Sequence, residues 1–361
     1  MDKMTGRERI GNILQRKPVD RIGVFEHFWG DTHREWLRRG WIGPDDNFVD
    51  LFDFDLDMCW GFNMVADLDF EPVIVEETDE TILKRDGNGA LLRTHKLHAS
   101  TPEHVDFMVK ERTAWEEQIK PLLIPDRRRI KFEEYRQKKQ KCRDTNRFFC
   151  WSGVNVFELM HPVCGHEHML VGMALDPEWV QDMVETYASL TVALQEMLFA
   201  EEGKPDGIFY YEDMGFKGRP FMSPAMYDEI IKPGHKKTID YNKSLGLPVI
   251  MHSCGMVEQL LPGMIDAGID CLQVIEVKAG MDLVKLYRQY GDHLSFFGGM
   301  DVRELYSNDL SRVDRELESK IPIVKQNYGY ILHSDHSIPY TVDYATYLHF
   351  KEYGLELGTY R

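Results

Sequence analysis

The sequence predicts an α/β protein in which eight parallel strands and their helices close into a (β/α)8 TIM barrel. Short, near-continuous apolar segments recur along the whole chain, and in its second half a helical pattern follows each of them. Strands that are covered on both faces by helices have this uniformly apolar character. Eight such segments favour a barrel over an open, doubly wound sheet.

Each barrel strand corresponds to one apolar segment of the sequence. The eight segments are RIGVFEH (21–27), LDMCWGF (56–62), RFFCWSGV (147–154), GIFYYED (207–213), LPVIMHS (247–253), CLQVIE (271–276), LSFFGG (294–299) and YGYILHS (328–334). A helix is predicted to begin after Ser223, a suitable N-cap residue, with Pro224 at its first position, and to end near Gly246. Helices are also predicted over MVEQLLPGMIDAG, MDLVKLYRQYG, residues 311–326 and VDYATYLHFKEYGLELG.

One segment interrupts the alternation of strands and helices. Residues 70–95 alternate apolar and polar side chains and contain Asp86-Gly87-Asn88-Gly89, which is typical of a hairpin turn. We therefore expect a β-hairpin insertion after the second strand, within a single domain that spans residues 1–361. The charged stretch 102–146 is expected to form helices before the third strand.

Composition narrows the classes of function. The 361 residues carry a formal net charge of −17, which disfavours nucleic acid and anionic membranes as partners. No segment approaches the roughly 20 apolar residues of a membrane span, and the first residues show no export signal. The six cysteines are too dispersed for a secreted disulfide framework. These features predict a cytoplasmic, reduced protein.

Polar side chains stand at the ends of most predicted strands. In a barrel of this kind the chemistry takes place at the carboxyl ends of the strands. The polar residues at these ends are His27, Glu212, Asp213, His252, Cys254, Glu276, Asp301, His333, Ser334, Asp335 and His336. Because parallel strands end on the same face, we expect these side chains to converge.

Four of these residues form a candidate metal site: His252, Cys254, Glu276 and His336. A buried cysteine is often only a small apolar residue, and a histidine at a strand end is often only hydrogen-bonded. A carboxylate beside a thiolate and an imidazole, however, is costly without a cation. Zinc accepts all three ligand types, whereas magnesium and calcium do not favour sulfur.

The chain resembles the uroporphyrinogen decarboxylase superfamily, and within it the zinc-dependent corrinoid methyltransferases. The resemblance covers nearly the whole chain and is most specific in HSCG (252–255), DCLQVIEVKAGMDL, LSFFGGMD and SDHSIPYTVDYATY. The ligand pattern also resembles the zinc site of cobalamin-independent methionine synthase. The resemblance implies a TIM barrel with bound Zn²⁺. It also implies a methyltransferase that acts on a small methylated donor and has a corrinoid (cobalamin) protein as its partner.

Two departures from the family pattern bear on function. The methyltransferases usually have Cys as the last zinc ligand, where this chain offers His336. True uroporphyrinogen decarboxylases hold their many-carboxylate substrate with an arginine-rich stretch near the first strand. Here FEHFWGDTHREW (25–36) contains only Arg34 as a basic residue. A polyanionic porphyrinogen would meet repulsion there.

The remaining strand-end residues are assigned to the substrate. Glu212 and Asp213 are candidate catalytic residues, as a general acid or as groups that orient the ligands, although they could instead cap the next turn. The predicted substrate pocket consists of His27, Trp29, Glu158, Tyr211 and His333. Its aromatic members could equally pack the barrel mouth. The segment HPVCGHEH (161–168) matches no standard zinc spacing.

Two other functions stay open from the sequence. One is a metal-free decarboxylase, and the other is a non-catalytic barrel that binds a tetrapyrrole or another small molecule. Within the methyltransferase interpretation, a methoxylated aromatic, a methylamine or a thiol could be the substrate. The direction of transfer and the oligomeric state, including a homodimer, are also left open.

Overall fold

The computed structural model describes residues 3–97 and 102–360. The barrel strands are β1 (Gly23–Val24), β2 (Leu56–Trp60), β7 (Phe148–Val154), β8 (Gly207–Tyr211), β11 (Val249–Ser253), β12 (Cys271–Val274), β13 (Ser295–Gly298) and β14 (Tyr330–Leu332). These eight strands form one parallel sheet in the order β1-β14-β13-β12-β11-β8-β7-β2. All eight lie within the predicted segments, so the predicted (β/α)8 barrel is confirmed.

The two outermost strands of this order meet at Asp55. The backbone N–H of Asp55 donates to the carbonyl of Val24 (3.0 Å), and the Asp55 carboxylate accepts from the N–H of Val24 (2.9 Å). The same carboxylate forms ion pairs with the guanidinium groups of Arg9 and Arg21, with N–O distances of 2.5 and 2.8 Å. This buried ion cluster joins β1 to β2 and closes the barrel.

Helices cover the outside of the sheet. Their bounds are α1 (Gly6–Ile13), α2 (Gly30–Arg38), α3 (Phe48–Leu51), α4 (Arg112–Ala114), α5 (Phe132–Asp144), α6 (Val156–Leu175), α7 (Pro177–Glu202), α8 (Pro224–Met226), α9 (Lys232–Ser244), α10 (Leu261–Ala267), α11 (Leu283–Tyr290), α12 (Val302–Tyr306), α13 (Leu310–Val324) and α14 (Tyr344–Gly358). The predicted cap is confirmed, since the Ser223 hydroxyl accepts from the N–H of Met226. From there α8, a π-helical turn (Tyr227–Ile231) and α9 run to Ser244.

The interior of the barrel is aromatic directly below the strand ends. The rings of Phe25 and Phe209 each lie close to that of Phe297, with centroids 6.1 and 6.2 Å apart. His333 packs on this layer, with its ring 5.2 Å from Phe297. These residues are almost fully buried. The site at the barrel mouth therefore rests on a rigid apolar floor.

The insertion after β2 is larger than the predicted hairpin. It is a four-stranded antiparallel sheet of β3 (Val73–Glu77), β4 (Thr81–Arg85), β5 (Leu91–His95) and β6 (Glu103–Asp106). The predicted segment accounts for β3 to β5, and the Asp86–Gly89 turn joins β4 to β5 as expected. β6 lies in the stretch for which helices were predicted. β6 is short and charged, and its sequence lacks the apolar alternation that would identify a strand. It forms a strand by pairing with β5.

A small antiparallel sheet of β9 (Gly215–Phe216) and β10 (Arg219–Pro220) lies beside the barrel mouth.

Two further expectations concern the chain as a whole. Within the described residues, no helix is both long and apolar enough to cross a membrane. The expectation of a single domain over residues 1–361 stays a prediction.

Candidate metal and substrate site

Three predicted site residues lie together at the ends of two neighbouring strands. Asp213 follows β8, while His252 and Cys254 stand at the end of β11, which pairs with β8. His252 Nε2 lies 3.2 Å from both Cys254 Sγ and Asp213 Oδ1. One ligand atom from each residue falls within 4.8 Å of the others. We call this group the metal cluster.

The imidazole of His252 is oriented from behind. Its Nδ1 forms a hydrogen bond with the side-chain oxygen of Gln273, which stands opposite His252 in the β11–β12 ladder. The bond assigns the proton to Nδ1 when the ring is neutral and turns Nε2 towards Cys254 and Asp213. Histidine ligands of metals generally carry such a partner on the other ring nitrogen.

The ionisable groups of the cluster shift one another's pKa values. Burial raises the pKa of Asp213, but the charge of His252 and hydrogen bonds outweigh burial and lower it to about 2. Burial raises the pKa of the Cys254 thiol despite the neighbouring His252. Burial lowers the pKa of His252, but Cys254 and Asp213 outweigh it and raise the pKa well above the usual value. A metal ion would replace these shared protons.

This donor set fits zinc. The cluster offers one oxygen, one nitrogen and one sulfur, all of which zinc accepts. Three protein ligands are the usual number in catalytic zinc sites, where a fourth position is left for water or substrate. The described residues contain no other group of this kind.

The other two predicted ligands lie nearby but outside the cluster. Glu276 Oε2 accepts from the N–H of Gly255 (2.7 Å), so this carboxylate is turned towards the backbone next to Cys254. His336 stacks on Trp29, with ring centroids 5.8 Å apart. Their roles as ligands remain predictions. Asp213, predicted to be catalytic, is the carboxylate that lies beside His252 and Cys254.

The cluster borders a cavity of about 280 Å³, the central cavity. It is lined by His27, Trp29, Tyr211, Asp213, His252, Cys254, Gln273, Val274, His333, His336 and Ser337. Four of the five predicted pocket residues are among them. The fifth, Glu158, lines a neighbouring cavity that shares Tyr211 and Asp213 with the central one.

A chain of hydrogen-bonding groups forms the inner wall of the central cavity. His27 Nε2 lies 3.1 Å from the Tyr211 hydroxyl, and His27 Nδ1 lies 2.9 Å from His333 Nε2. His333 Nε2 is also 3.0 Å from a carboxylate oxygen of Glu26. Burial lowers the pKa of His27 to about 3 and that of His333 well below its usual value. Both imidazoles are therefore neutral at pH 7 and add no charge beside the metal cluster.

Glu212 has a different environment from its neighbour Asp213. It is fully buried, and its carboxylate accepts from the N–H groups of Phe157 (2.7 Å) and Glu158 (3.1 Å) at the start of α6. One of its oxygens also lies 2.5 Å from His235 Nε2, on α9. Glu212 thus joins β8 to α6 and α9. Its predicted catalytic role is untested, and both oxygens are already occupied.

Comparison with known families identifies the fold family. Residues 154–353, more than half of the chain, match the family profile described as uroporphyrinogen decarboxylase (URO-D). The chain belongs to the uroporphyrinogen decarboxylase family. The matched region contains the metal cluster and every strand from β8 onwards, and the resemblance predicted from the sequence motifs is confirmed.

Two relatives from Methanosarcina mazei are similar to this member of the family. One, a methylated-thiol–coenzyme M methyltransferase, is 26% identical over 155 residues, which cover 42% of this chain and 38% of that relative. The match thus spans well under half of the relative's length. The other is a solved structure of a methyltransferase, with a TM-score of 0.65, 13% identity, and coverage of 98% of this chain and 99% of that one. The second likeness shows the shared fold.

Sequence reasoning missed two features of the site. Gln273 was read only as part of the apolar strand CLQVIE, although its position opposite His252 would follow from aligning the two strands. The second cavity was also missed, because its wall combines residues from distant segments: β2 and the loop after it, the β4–β5 turn, α6 and the end of β8. No sequence motif indicates either feature.

Proposed function

We propose that the protein is a zinc-dependent methyltransferase that moves a methyl group between a small methylated substrate and a corrinoid protein. The observation that carries the proposal is the Asp213–His252–Cys254 cluster at the carboxyl ends of the barrel strands. Membership of the family and the methyltransferase names of the two relatives support it.

Zinc would supply Lewis-acid stabilisation of the charge on the heteroatom that loses or accepts the methyl group. His252, Cys254 and Asp213 would hold the ion, and Gln273 would keep His252 Nε2 directed at it. Glu276 and His336 stay as proposed additional ligands. The substrate would be a methoxylated aromatic, a methylamine or a thiol.

The central cavity would hold the reacting end of the substrate. The Tyr211 hydroxyl, held 3.1 Å from His27 Nε2, is the polar group that the wall presents beside a substrate heteroatom. Trp29 and His336 stack and form an aromatic side of the cavity. Because His27 and His333 are neutral, they do not compete with a substrate for electrostatic interaction with the metal cluster.

A decarboxylase is less well supported. The described residues that line the central cavity include no lysine or arginine, so a substrate with many carboxylates would find no counter-charge there. Arg34, the one arginine or lysine of residues 25–36, lies in α2 and is paired with Asp31.

The test combines metal content with methyl transfer. The purified chain is expected to contain about one zinc ion per chain, and His252→Ala and Cys254→Ala are expected to lose it. His349→Ala, which changes a histidine paired with Asp314 on the outer helices, is the matched control and should keep its zinc. Transfer from methyl donors to a Co(I) corrinoid is followed by its absorbance, and both site variants should abolish it.

Three results would contradict the proposal. Absence of zinc from the active protein would reject the proposed role of zinc. Formation of coproporphyrinogen from uroporphyrinogen would favour the decarboxylase. Tight binding of a corrinoid or tetrapyrrole without transfer from any donor would favour a carrier.

A further inference from the structure

A second cavity of about 420 Å³ opens beside the central one, and we call it the lateral cavity. It shares Tyr211 and Asp213 with the central cavity, so the two cavities adjoin at these side chains. Its other lining residues are Trp60, Phe62, Met64, Val65, Asn88, Val154, Glu158, Leu159 and Pro162.

The insertion contributes Asn88 to the wall of the lateral cavity. Asn88, in the β4–β5 turn, accepts from the N–H of Ala66 (2.8 Å), and the N–H of Asp67 donates to the Gly87 carbonyl (3.0 Å). These bonds attach the turn to the segment that follows β2. The function proposed above uses neither this turn nor the rest of the insertion.

A buried arginine fixes the same wall from the other side. The guanidinium of Arg129, only 1% exposed, donates to the carbonyls of Asn63, Val65 and Ala66 (3.1, 2.5 and 3.1 Å). The wall is therefore held by fixed hydrogen bonds on both sides. A preformed cavity of this kind is what a small-molecule site requires.

The charged side chains that line the lateral cavity among the described residues are all acidic. Its described lining residues include two carboxylates, Glu158 and Asp213, and no lysine or arginine. The Oε2 atom of Glu158 is buried without a hydrogen-bond partner among the described residues. An unpaired buried carboxylate oxygen is costly, and a ligand that donates to it would remove that cost.

Three histidines stand behind Glu158. His161 Nδ1 is 3.3 Å from Glu158 Oε1, and the His161 ring stacks on His166 (4.4 Å between centroids) and lies near His104 (4.9 Å). Burial, followed by the charge of His161, lowers the pKa of His166 to about 4 and also lowers that of His104. These two rings therefore supply no fixed positive charge at pH 7.

Aromatic faces complete the lateral cavity. The rings of Trp60 and Tyr211 have centroids 5.3 Å apart, and Phe62 lines the same space. Aromatic faces attract cations, most strongly when the cation is desolvated. Carboxylates and aromatic rings without a basic side chain form a site suited to an organic cation.

We propose that the lateral cavity binds the cationic, non-reacting end of the methylated substrate through Glu158 and the rings of Trp60 and Tyr211. The proposal rests on the proposed methyltransferase function, and it names the substrate class: a methyl thioether or methyl ether that carries an ammonium group. The ammonium lies in the lateral cavity, and the methylated heteroatom reaches past Tyr211 and Asp213 into the central cavity.

The test is calorimetric binding of three ligands of equal length and different charge to the purified full chain. The probes are 3-(methylthio)propylamine, 3-(methylthio)propan-1-ol and 3-(methylthio)propanoate. The amine is expected to bind at least about tenfold more tightly than the alcohol, since about 1.4 kcal/mol corresponds to a factor of ten. The carboxylate should bind most weakly.

Glu158→Gln should remove most of the preference for the amine over the alcohol. Glu167→Gln makes the same change at an exposed position of the same helix and should keep the preference. Because the measured quantity is a ratio within each variant, a general loss of stability does not imitate the expected result. Thermal unfolding of each variant confirms that the protein is folded.

Equal binding of amine and alcohol to the unaltered chain would overturn the proposal, as would a preference that survives in Glu158→Gln. Tightest binding of the carboxylate would also overturn it. The two proposals fail separately. A preference for the amine in a chain that holds no zinc and transfers no methyl group would reject the methyltransferase and keep the cation site.

Discussion

The side-chain oxygen of Gln273 accepts a hydrogen bond from His252 Nδ1 across the β11–β12 ladder. Gln273 is only 1% exposed, so the bond is shielded from water. It connects a residue with no predicted role to the residue at the centre of the metal cluster. The orientation of His252 is therefore a property of the barrel wall, present before any metal binds.

Replacement of Gln273 by Leu should weaken zinc binding by about 10- to 100-fold, because His252 loses the partner that fixes its tautomer. Competition with a chromogenic chelator measures the affinity. Gln273→Glu keeps an acceptor at the same place and should retain most of it. Equal affinities for all three proteins would show that His252 does not depend on Gln273.

Much of the fold could be predicted because it depends on short-range patterns. Uniformly apolar strands, the Ser223-Pro224 cap and the Asp86–Gly89 turn are each contained in a few consecutive residues. β6 could not be predicted in this way. Its residues are charged and exposed, and it is a strand only because β5 lies beside it.

The site was predicted less completely, because the end of a strand fixes where a side chain lies in the barrel but not the direction in which it points. Glu276 and Asp213 both follow strands and both carry carboxylates. Each accepts from a backbone N–H, Asp213 from Cys254 and Glu276 from Gly255, but only Asp213 also lies within 3.2 Å of His252 Nε2. The difference depends on the three-dimensional placement of the two strand ends, which no residue pattern records.

Replacement of Arg129 by Met should lower the free energy of unfolding by about 3 kcal/mol or more, because several buried carbonyls lose their donor and each unsatisfied group costs about 1 to 3 kcal/mol. The change would leave carbonyls of the cavity wall, among them those of Val65 and Ala66, without their donor. Urea denaturation measures the difference.

The neighbouring arginine supplies the control. The Arg128 side chain is 57% exposed and pairs with Asp69 and Asp126 at the surface. Arg128→Met should cost less than about 1 kcal/mol. Similar losses for the two variants would mean that the buried hydrogen bonds of Arg129 contribute little.

Glu212→Gln should lower the free energy of unfolding by about 1 to 3 kcal/mol, since a neutral amide pairs more weakly with His235 and with the start of α6. Chemical denaturation gives the stability, and steady-state kinetics give kcat and KM. We expect any loss of activity to follow the loss of folded protein.

The catalytic alternative gives a different pattern. If Glu212 were a general acid, kcat would fall by about a hundredfold or more while the stability stayed unchanged. Asp213→Asn provides the contrast. It alters a residue of the metal cluster and should reduce zinc content with a smaller effect on stability.

Acid unfolding should depend on Asp20. Burial raises the pKa of this carboxyl, but hydrogen bonds from Arg9 (2.7 Å) and the N–H of Met4 (3.0 Å) outweigh burial and lower it to about 2. A folded-state pKa below the unfolded value of about 3.9 stabilises the protein above pH 4. That stabilisation is lost as the pH falls towards 2.

Asp20→Asn should therefore lower the urea midpoint at pH 6, and the difference from the unaltered chain should shrink between about pH 4 and 2. Asp79→Asn, in the exposed β3–β4 turn, is the matched control and should follow the unaltered chain at every pH. A difference for Asp20→Asn that is constant from pH 6 to pH 2 would contradict the expectation. Because Arg9 also binds Asp55 where β1 meets β2, we expect the loss at low pH to begin with the opening of the barrel between those two strands.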